Sequence, residues 1–152
     1  MKYAALVAAL AVACVATGAQ AESFTGTYKN DAINLVMVPA SQGAPAQGGA
    51  AWKGVTTSTT KSGVTTSSTY SCVGWLTPGQ GTTNAAACEA SDNATDKWSA
   101  YILCAADPND ANKPSSCWGA LVGTGGKYAG KTGQFVQHGT NASGTSEGAW
   151  ND

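Results

Sequence analysis

The sequence predicts an all-β fold, a small antiparallel β-barrel of about eight strands with two disulfides. Short runs of β-branched and aromatic residues recur between turn residues, and helical periodicity is almost absent. Four cysteines follow a predicted export signal, a pattern typical of a disulfide-containing exported domain. The chain has 152 residues, 19 of them glycine. This length fits one domain, and we place it at residues 22–152.

The first 21 residues have the pattern of a secretory signal peptide. Lys2 supplies a positive start, residues 4–16 are almost all apolar, and Ala19-Gln20-Ala21 has the small-x-small pattern of a cleavage site. The apolar run is too short for a membrane-spanning helix. A lipoprotein signal with Cys14 as the lipidated residue is disfavoured, because the residues before it make a poor lipobox. We therefore expect a periplasmic or secreted protein that begins near Glu22 and has no membrane span.

Export accounts for the remaining cysteines, which are Cys72, Cys88, Cys104 and Cys117. Four cysteines allow three pairings. The sequence favours pairing of neighbours, Cys72 with Cys88 and Cys104 with Cys117, the second pair lying at the loop end of a predicted hairpin. Because no pair has C-x-x-C spacing and the chain has one histidine, disulfides are favoured over zinc. We expect no metal and no cofactor.

The first predicted strands come before residue 40. Residues 24–28 alternate with period two, and Lys29-Asn30-Asp31 has the composition of a turn. Residues 33–38 are apolar and branched, which predicts a buried strand. Residues 39–49 are rich in Pro, Gly, Ala and Gln and predict a loop.

A Thr-rich hairpin is the next predicted unit. Residues 54–58, Gly-Val-Thr-Thr-Ser, recur as residues 63–67, and the residues between the two copies have turn chemistry. We expect one strand to begin near Trp52 and its partner to continue to Trp75, with one face of the pair in water.

The second half contributes four more predicted strands. Residues 77–96 predict an ordered but irregular connection, and residues 107–116 a polar loop. The predicted strands are residues 98–104, 117–122, 135–138 and 143–150.

A glycine-rich segment invites two interpretations. Residues 125–132 match the G-x-x-x-x-G-K-[ST] pattern of a phosphate-binding loop, but the residues that follow suit a strand and not the required helix. We therefore expect no nucleotide. Residues 126–134, Gly-Lys-Tyr-Ala-Gly-Lys-Thr-Gly-Gln, resemble the glycine-aromatic strand motif of allene oxide cyclase-like and dirigent barrels. That resemblance implies an eight-stranded antiparallel barrel with Tyr128 on a core strand. Because Ala129 stands where the plant cyclases often have an acid, we carry over no catalytic residue.

The sequence offers little for catalysis. His138 is the only histidine, and a general base built from it with Glu147 is disfavoured against a polar strand end. The aspartates at 92, 96, 107 and 110 suit solvated loops better than a calcium site. A formal charge of −1 without arginine excludes a nucleic-acid binder. We predict no catalytic and no metal-binding residue.

The aromatic residues carry the functional hypothesis. Tyr28, Trp52, Trp98 and Tyr128 lie on different predicted strands, where they could line an apolar cavity. The composition favours the alternative that the aromatic side chains fill the core. We predict a non-catalytic binder of a small apolar or aromatic ligand. The alternatives are a cofactor-free cyclase or isomerase acting inside the barrel, and a structural or adhesive protein acting through the Thr-rich hairpin.

Overall fold

The computed structural model describes residues 21–43, 45–76, 84–106 and 115–151. The strands are β1 (Glu22–Val38), β2 (Gln47–Thr60), β3 (Thr65–Leu76), β4 (Asn84–Ser91), β5 (Lys97–Ala106), β6 (Ser115–Gly125), β7 (Thr132–Gly139) and β8 (Ser143–Asn151). A 3-10 turn, Gly126–Tyr128, lies between β6 and β7. Each strand is antiparallel to the next, and β1 pairs with β8 to close the barrel. The predicted all-β, eight-stranded antiparallel barrel is confirmed.

The strands are tilted against the barrel axis. If paired residues are followed around the wall from Val36, the path returns to β1 at Thr25 and not at Val36. Such an offset in register requires tilted strands, and tilt widens the interior of a barrel with a given number of strands. We call the end where β1 finishes the mouth, and the end where β1 begins the floor.

The Thr-rich hairpin is confirmed as β2 and β3. Its two-residue bend at Lys61-Ser62 is followed by Gly63, whose φ of 88° suits glycine. Exposed and less exposed residues alternate along both strands, so one face lies in water and the other faces the barrel interior. The hydroxyls of Thr59 and Thr65 meet across the pair at 3.0 Å.

The predicted turn at Lys29-Asn30-Asp31 is wrong, because β1 runs through it. The register with β2 shifts between Asn30 and Ala32, which leaves Asp31 as the extra residue of a β-bulge. The predicted burial of residues 33–38 is also wrong. This part of β1 extends past the residues paired with β8, and Val36 is 73% exposed.

The predicted irregular connection over residues 77–96 is wrong in its centre, which forms β4. Alanine is a weak strand former, but small side chains suit this densely packed wall beside a disulfide. The predicted strand number is right because dividing β1 into two strands compensated for omitting β4. Residues 77–83, residues 107–114 of the predicted polar loop and residues 1–20 of the predicted signal peptide lie outside the described residues. Ser115 and Ser116, the last two residues of that predicted loop, belong to β6.

The glycine-aromatic segment does not form the predicted strand over its first half. Gly126 and Gly130 have φ values of 57° and 80°, which interrupt an extended backbone, and Tyr128 lies in the turn between them. Strand β7 begins only at Thr132. Within the described part of the chain, no helix is long and apolar enough to cross a membrane.

Both predicted disulfides are confirmed. Cys72–Cys88 joins β3 to β4 and Cys104–Cys117 joins β5 to β6, each between residues that lie directly opposite in the register. All four cysteines are buried on the inner face of the barrel. The two bridges therefore cross-link four of the eight strands, as two neighbouring pairs.

Loss of either disulfide should destabilise the barrel by a similar amount. The two bridges close loops with separations of 16 and 13 residues, and the chain-entropy model assigns each about 3 kcal/mol. The double variants Cys72→Ala/Cys88→Ala and Cys104→Ala/Cys117→Ala should each lose this free energy of unfolding in urea denaturation. An unchanged unfolding midpoint in either double variant would contradict the prediction.

Candidate functional site

A cavity of about 460 Å³ occupies the barrel interior between floor and mouth. Its volume lies in the range of small-molecule binding sites. No charged side chain of the described residues lines it. The aromatic residues of its lining are Phe24, Tyr28, Trp52, Tyr70, Trp75, Trp98, Tyr128, Phe135 and Trp150. The aromatic side chains pack around a buried cluster that includes Leu121 and Phe135. The expectation that they fill the core is wrong in part, because they leave this cavity open.

Glycines on neighbouring strands explain how large rings can leave the interior open. A methyl group added to Gly54 would lie 2.6 Å from Cζ of Tyr70, its partner in register. A methyl group on Gly119 would lie 2.8 Å from Cε1 of Phe135, again its partner in register. Each ring thus lies over the bare backbone of the adjacent strand and against the wall.

The same arrangement recurs around the barrel. Gly148 lies under the Phe24 ring and Gly144 under the Tyr28 ring, where added methyl groups would be 2.6 and 2.7 Å from ring carbons. Both pairs are opposite in register between β1 and β8. The Trp52 ring reaches diagonally over Gly74, where the corresponding distance is 2.9 Å. Aromatic residues therefore line the wall of this barrel.

The floor is closed by Tyr128, which reaches across the end of the barrel. Its hydroxyl donates a 2.8 Å hydrogen bond to Asp92, after β4, and its ring lies 4.8 Å from that of Trp150 on β8. Ser68 of β3 donates to the other oxygen of Asp92 at 2.5 Å. Lys127 pairs with the Asp92 carboxylate at 2.6 Å. The side chain of Asp92 is 5% exposed, so its charge is offset by one cation and two hydroxyl donors.

A second carboxylate holds the turn that carries Tyr128. The backbone N–H of Lys127 donates to Asp96 at 3.1 Å, and Asn93 donates to the same carboxylate at 2.8 Å. The Asn93 hydrogen bond and then the Lys127 N–H lower the pKa of Asp96. The floor turn is thus attached to the β4–β5 loop by both aspartates.

At the mouth, two tyrosines hold the β7–β8 loop and β1 in place. Tyr28 donates to the carbonyl of Thr140 at 2.9 Å, and Asn30 donates to the carbonyl of Asn141 at 2.6 Å. Tyr70 donates to Oδ1 of Asn30 at 2.5 Å. Burial, followed by the neighbouring Tyr28 and Asp31, raises the pKa of Tyr70 to about 12. Burial also raises the pKa of Tyr28, so both hydroxyls are protonated donors at neutral pH.

The four predicted ligand-binding residues, Tyr28, Trp52, Trp98 and Tyr128, all line the cavity. Their binding role stays a prediction. The sequence-based selection omitted Phe24, Tyr70, Phe135 and Trp150, which line the same space.

The alternation of strand residues offers a signal for the omitted side chains. With Cys72 on the inner face, alternation places Tyr70, two residues earlier, on that face as well. Trp75 falls on the other face and is 51% exposed. The same rule, applied from Cys104 and Cys117, places Tyr101 and Trp118 outside.

The candidate general base lies outside the cavity. His138 is exposed, and its Nδ1 is 3.2 Å from the hydroxyl of Ser116 on the neighbouring strand. Glu147 is exposed on the outer face of β8. Neither side chain lines the barrel interior, so the pair cannot act on a molecule held there.

In comparisons with protein-family models, curated proteins and solved structures, nothing matches this chain. The likeness of residues 126–134 to allene oxide cyclase-like and dirigent barrels therefore stays a hypothesis.

Removal of the Tyr128 hydroxyl should weaken the floor. Tyr128→Phe loses a hydrogen bond to a carboxylate and should lower the free energy of unfolding by about 1.5 kcal/mol. Tyr101→Phe is the matched control, because Tyr101 is 61% exposed on the outer wall, and it should change stability little. Urea denaturation of both variants checks this. Equal stability losses would contradict the assigned role of Tyr128.

The protein should lose stability at high pH. A folded-state pKa of about 12 for Tyr70 means that its contribution is fully present below the ordinary tyrosine pKa of about 10 and is lost as pH rises above it. Burial and the hydrogen bond to Asp92 raise the pKa of Tyr128 and add to the same effect. Unfolding free energies measured from pH 9 to 12 should fall, and Tyr70→Phe should reduce the slope. A slope that Tyr70→Phe leaves unchanged would contradict the prediction.

Proposed function

We propose that the protein binds a small apolar or aromatic molecule inside the barrel. The observation that carries the proposal is the charge-free cavity of about 460 Å³. Apolar surface that stays uncovered inside a protein forgoes hydrophobic stabilisation, and a ligand of matching shape recovers it. The aromatic rings offer such a ligand flat faces for stacking.

The fold supports binding over proton-transfer chemistry. The two mouth tyrosines have raised pKa values and donate their protons to fixed acceptors, which makes them poor general bases. Asp92 is committed to Ser68, Tyr128 and Lys127 at the floor. A cavity whose tyrosine hydroxyls and floor carboxylate are already paired suits a binder better than a cyclase or isomerase.

Two disulfides are compatible with an extracellular or periplasmic protein. We infer that residues 1–21 direct export and that binding takes place outside the cytoplasm. The Thr-rich outer face of β2 and β3 is compatible with water on that side, and no contact of the described residues favours an adhesive role.

Binding should be detectable with N-phenyl-1-naphthylamine, a neutral dye whose fluorescence rises in apolar surroundings. Ala86 lines the cavity whereas Ala87, the next residue of β4, faces outward. Ala86→Phe should fill part of the cavity and weaken dye binding at least about tenfold, while Ala87→Phe should leave it unchanged. Far-ultraviolet circular dichroism confirms that both variants fold. No dye binding by the wild type, or equal loss in both variants, would overturn the proposed function.

A further inference from the structure

Three polar side chains that line the cavity make no hydrogen bond to other described residues. Gln137 of β7 lies opposite Ser146 of β8. Ser146 lies opposite Gly26 of β1, and Gly26 lies opposite Ser58 of β2. Gln137, Ser146 and Ser58 all line the cavity. We call these three residues the polar row.

Within the described part of the chain, no member of the polar row makes a side-chain hydrogen bond. Ser146 is only 8% exposed, and its hydroxyl has no hydrogen-bond partner in the described ranges. Among the described residues, every polar side-chain atom that is fully buried does have such a partner. The hydroxyl of Ser146 is therefore accessible, and the cavity is the space that it faces. A hydroxyl this enclosed would gain more from a ligand partner than an exposed one would.

Gly26 leaves the wall bare beside Ser146. A methyl group at this position would lie 3.2 Å from Oγ of Ser146. A side chain on β1 would thus cover the hydroxyl. Its absence leaves Ser146 open to a molecule in the cavity.

The opposite side of the barrel is mainly apolar, with Asn84 at the mouth end of β4 as a polar exception. Strands β4 and β5 face the polar row across the closed barrel, and they present Ala86, Ala100 and Ile102 to the cavity. None of these side chains can donate or accept a hydrogen bond. Away from Asn84, a molecule in the cavity therefore meets hydrogen-bonding groups along the polar row and mostly apolar side chains on the opposite side.

We propose that the ligand is uncharged and carries a hydroxyl or carbonyl oxygen on an apolar body, and that the polar row binds this oxygen. The inference rests on the proposed function and adds the chemical class of the ligand. Serine hydroxyls and the glutamine amide can both donate and accept, so they suit either oxygen. A carboxylate or an ammonium group would lose its hydration in a cavity without a counter-charge.

Displacement of N-phenyl-1-naphthylamine by three ligands of similar size tests the inference. The ligands are 2-naphthalenemethanol, 2-methylnaphthalene and 2-naphthoate, which end in a hydroxyl, a methyl and a carboxylate. Ser146→Ala and Gln137→Met should each weaken binding of the alcohol about fivefold and leave the hydrocarbon within about twofold. Thr145→Ala, on the outer face of the same strand, is the matched control and should change neither. The carboxylate should bind the wild type at least about tenfold more weakly than the alcohol.

Two kinds of failure are distinguishable in this experiment. If the dye itself does not bind, the proposed function is wrong and the inference falls with it. If the dye binds but both polar-row variants weaken alcohol and hydrocarbon equally, or weaken neither, the polar row does not recognise oxygen. Carboxylate binding as tight as that of the alcohol would likewise overturn the inference while leaving the proposed function intact.

Discussion

The close approach of aromatic rings to glycines on neighbouring strands is the constraint on which the rest of this structure depends. Rings on the inner face that pointed toward the axis would fill so small a barrel. Here a glycine removes the side chain beneath the ring, and the ring lies against the wall. Tyr70 over Gly54 and Phe135 over Gly119 show the arrangement directly across a strand pair. The hollow interior follows from it.

A hollow barrel needs other sources of stability, and the structure places them at the wall and the ends. The two disulfides join β3 to β4 and β5 to β6. At the floor, Asp92 accepts hydrogen bonds from two hydroxyls and forms an ion pair with a lysine. Tyr28 and Tyr70 hold the mouth through backbone and amide oxygens. These interactions stabilise the fold without occupying its centre, which leaves the cavity available for binding.

Fold class and disulfide pairing could be predicted from the sequence because they depend on local signals. Period-two alternation and turn residues indicate strands, and pairing of sequence neighbours indicates both bridges. A predicted hairpin supports only the pair of Cys104 and Cys117. The bulge at Asp31 could not be predicted, because its residues have the same composition as a turn. Strand β4 was missed because its alanines lack strand propensity and are selected by packing.

The candidate site was predictable only in part. Tyr28, Trp52, Trp98 and Tyr128 were chosen as aromatic residues on separate strands, and all line the cavity. Whether the interior is filled or hollow depends on which glycine lies opposite which ring. That pairing is a property of the register, which depends on bulges and turn geometry for the consecutive strands and on closure of the barrel for β1 and β8. The polar row is not visible in the sequence either, because Ser146 of β8 meets Gly26 of β1, and through it Ser58, only when β1 and β8 close the barrel.

A crystal structure determined under xenon pressure tests the hollow interior most directly. Xenon enters apolar cavities without needing a specific hydrogen bond. We expect xenon inside the barrel, between the rings of Trp52 and Phe135, with each ring still lying over its glycine. An interior filled by side chains, with no bound xenon, would contradict it.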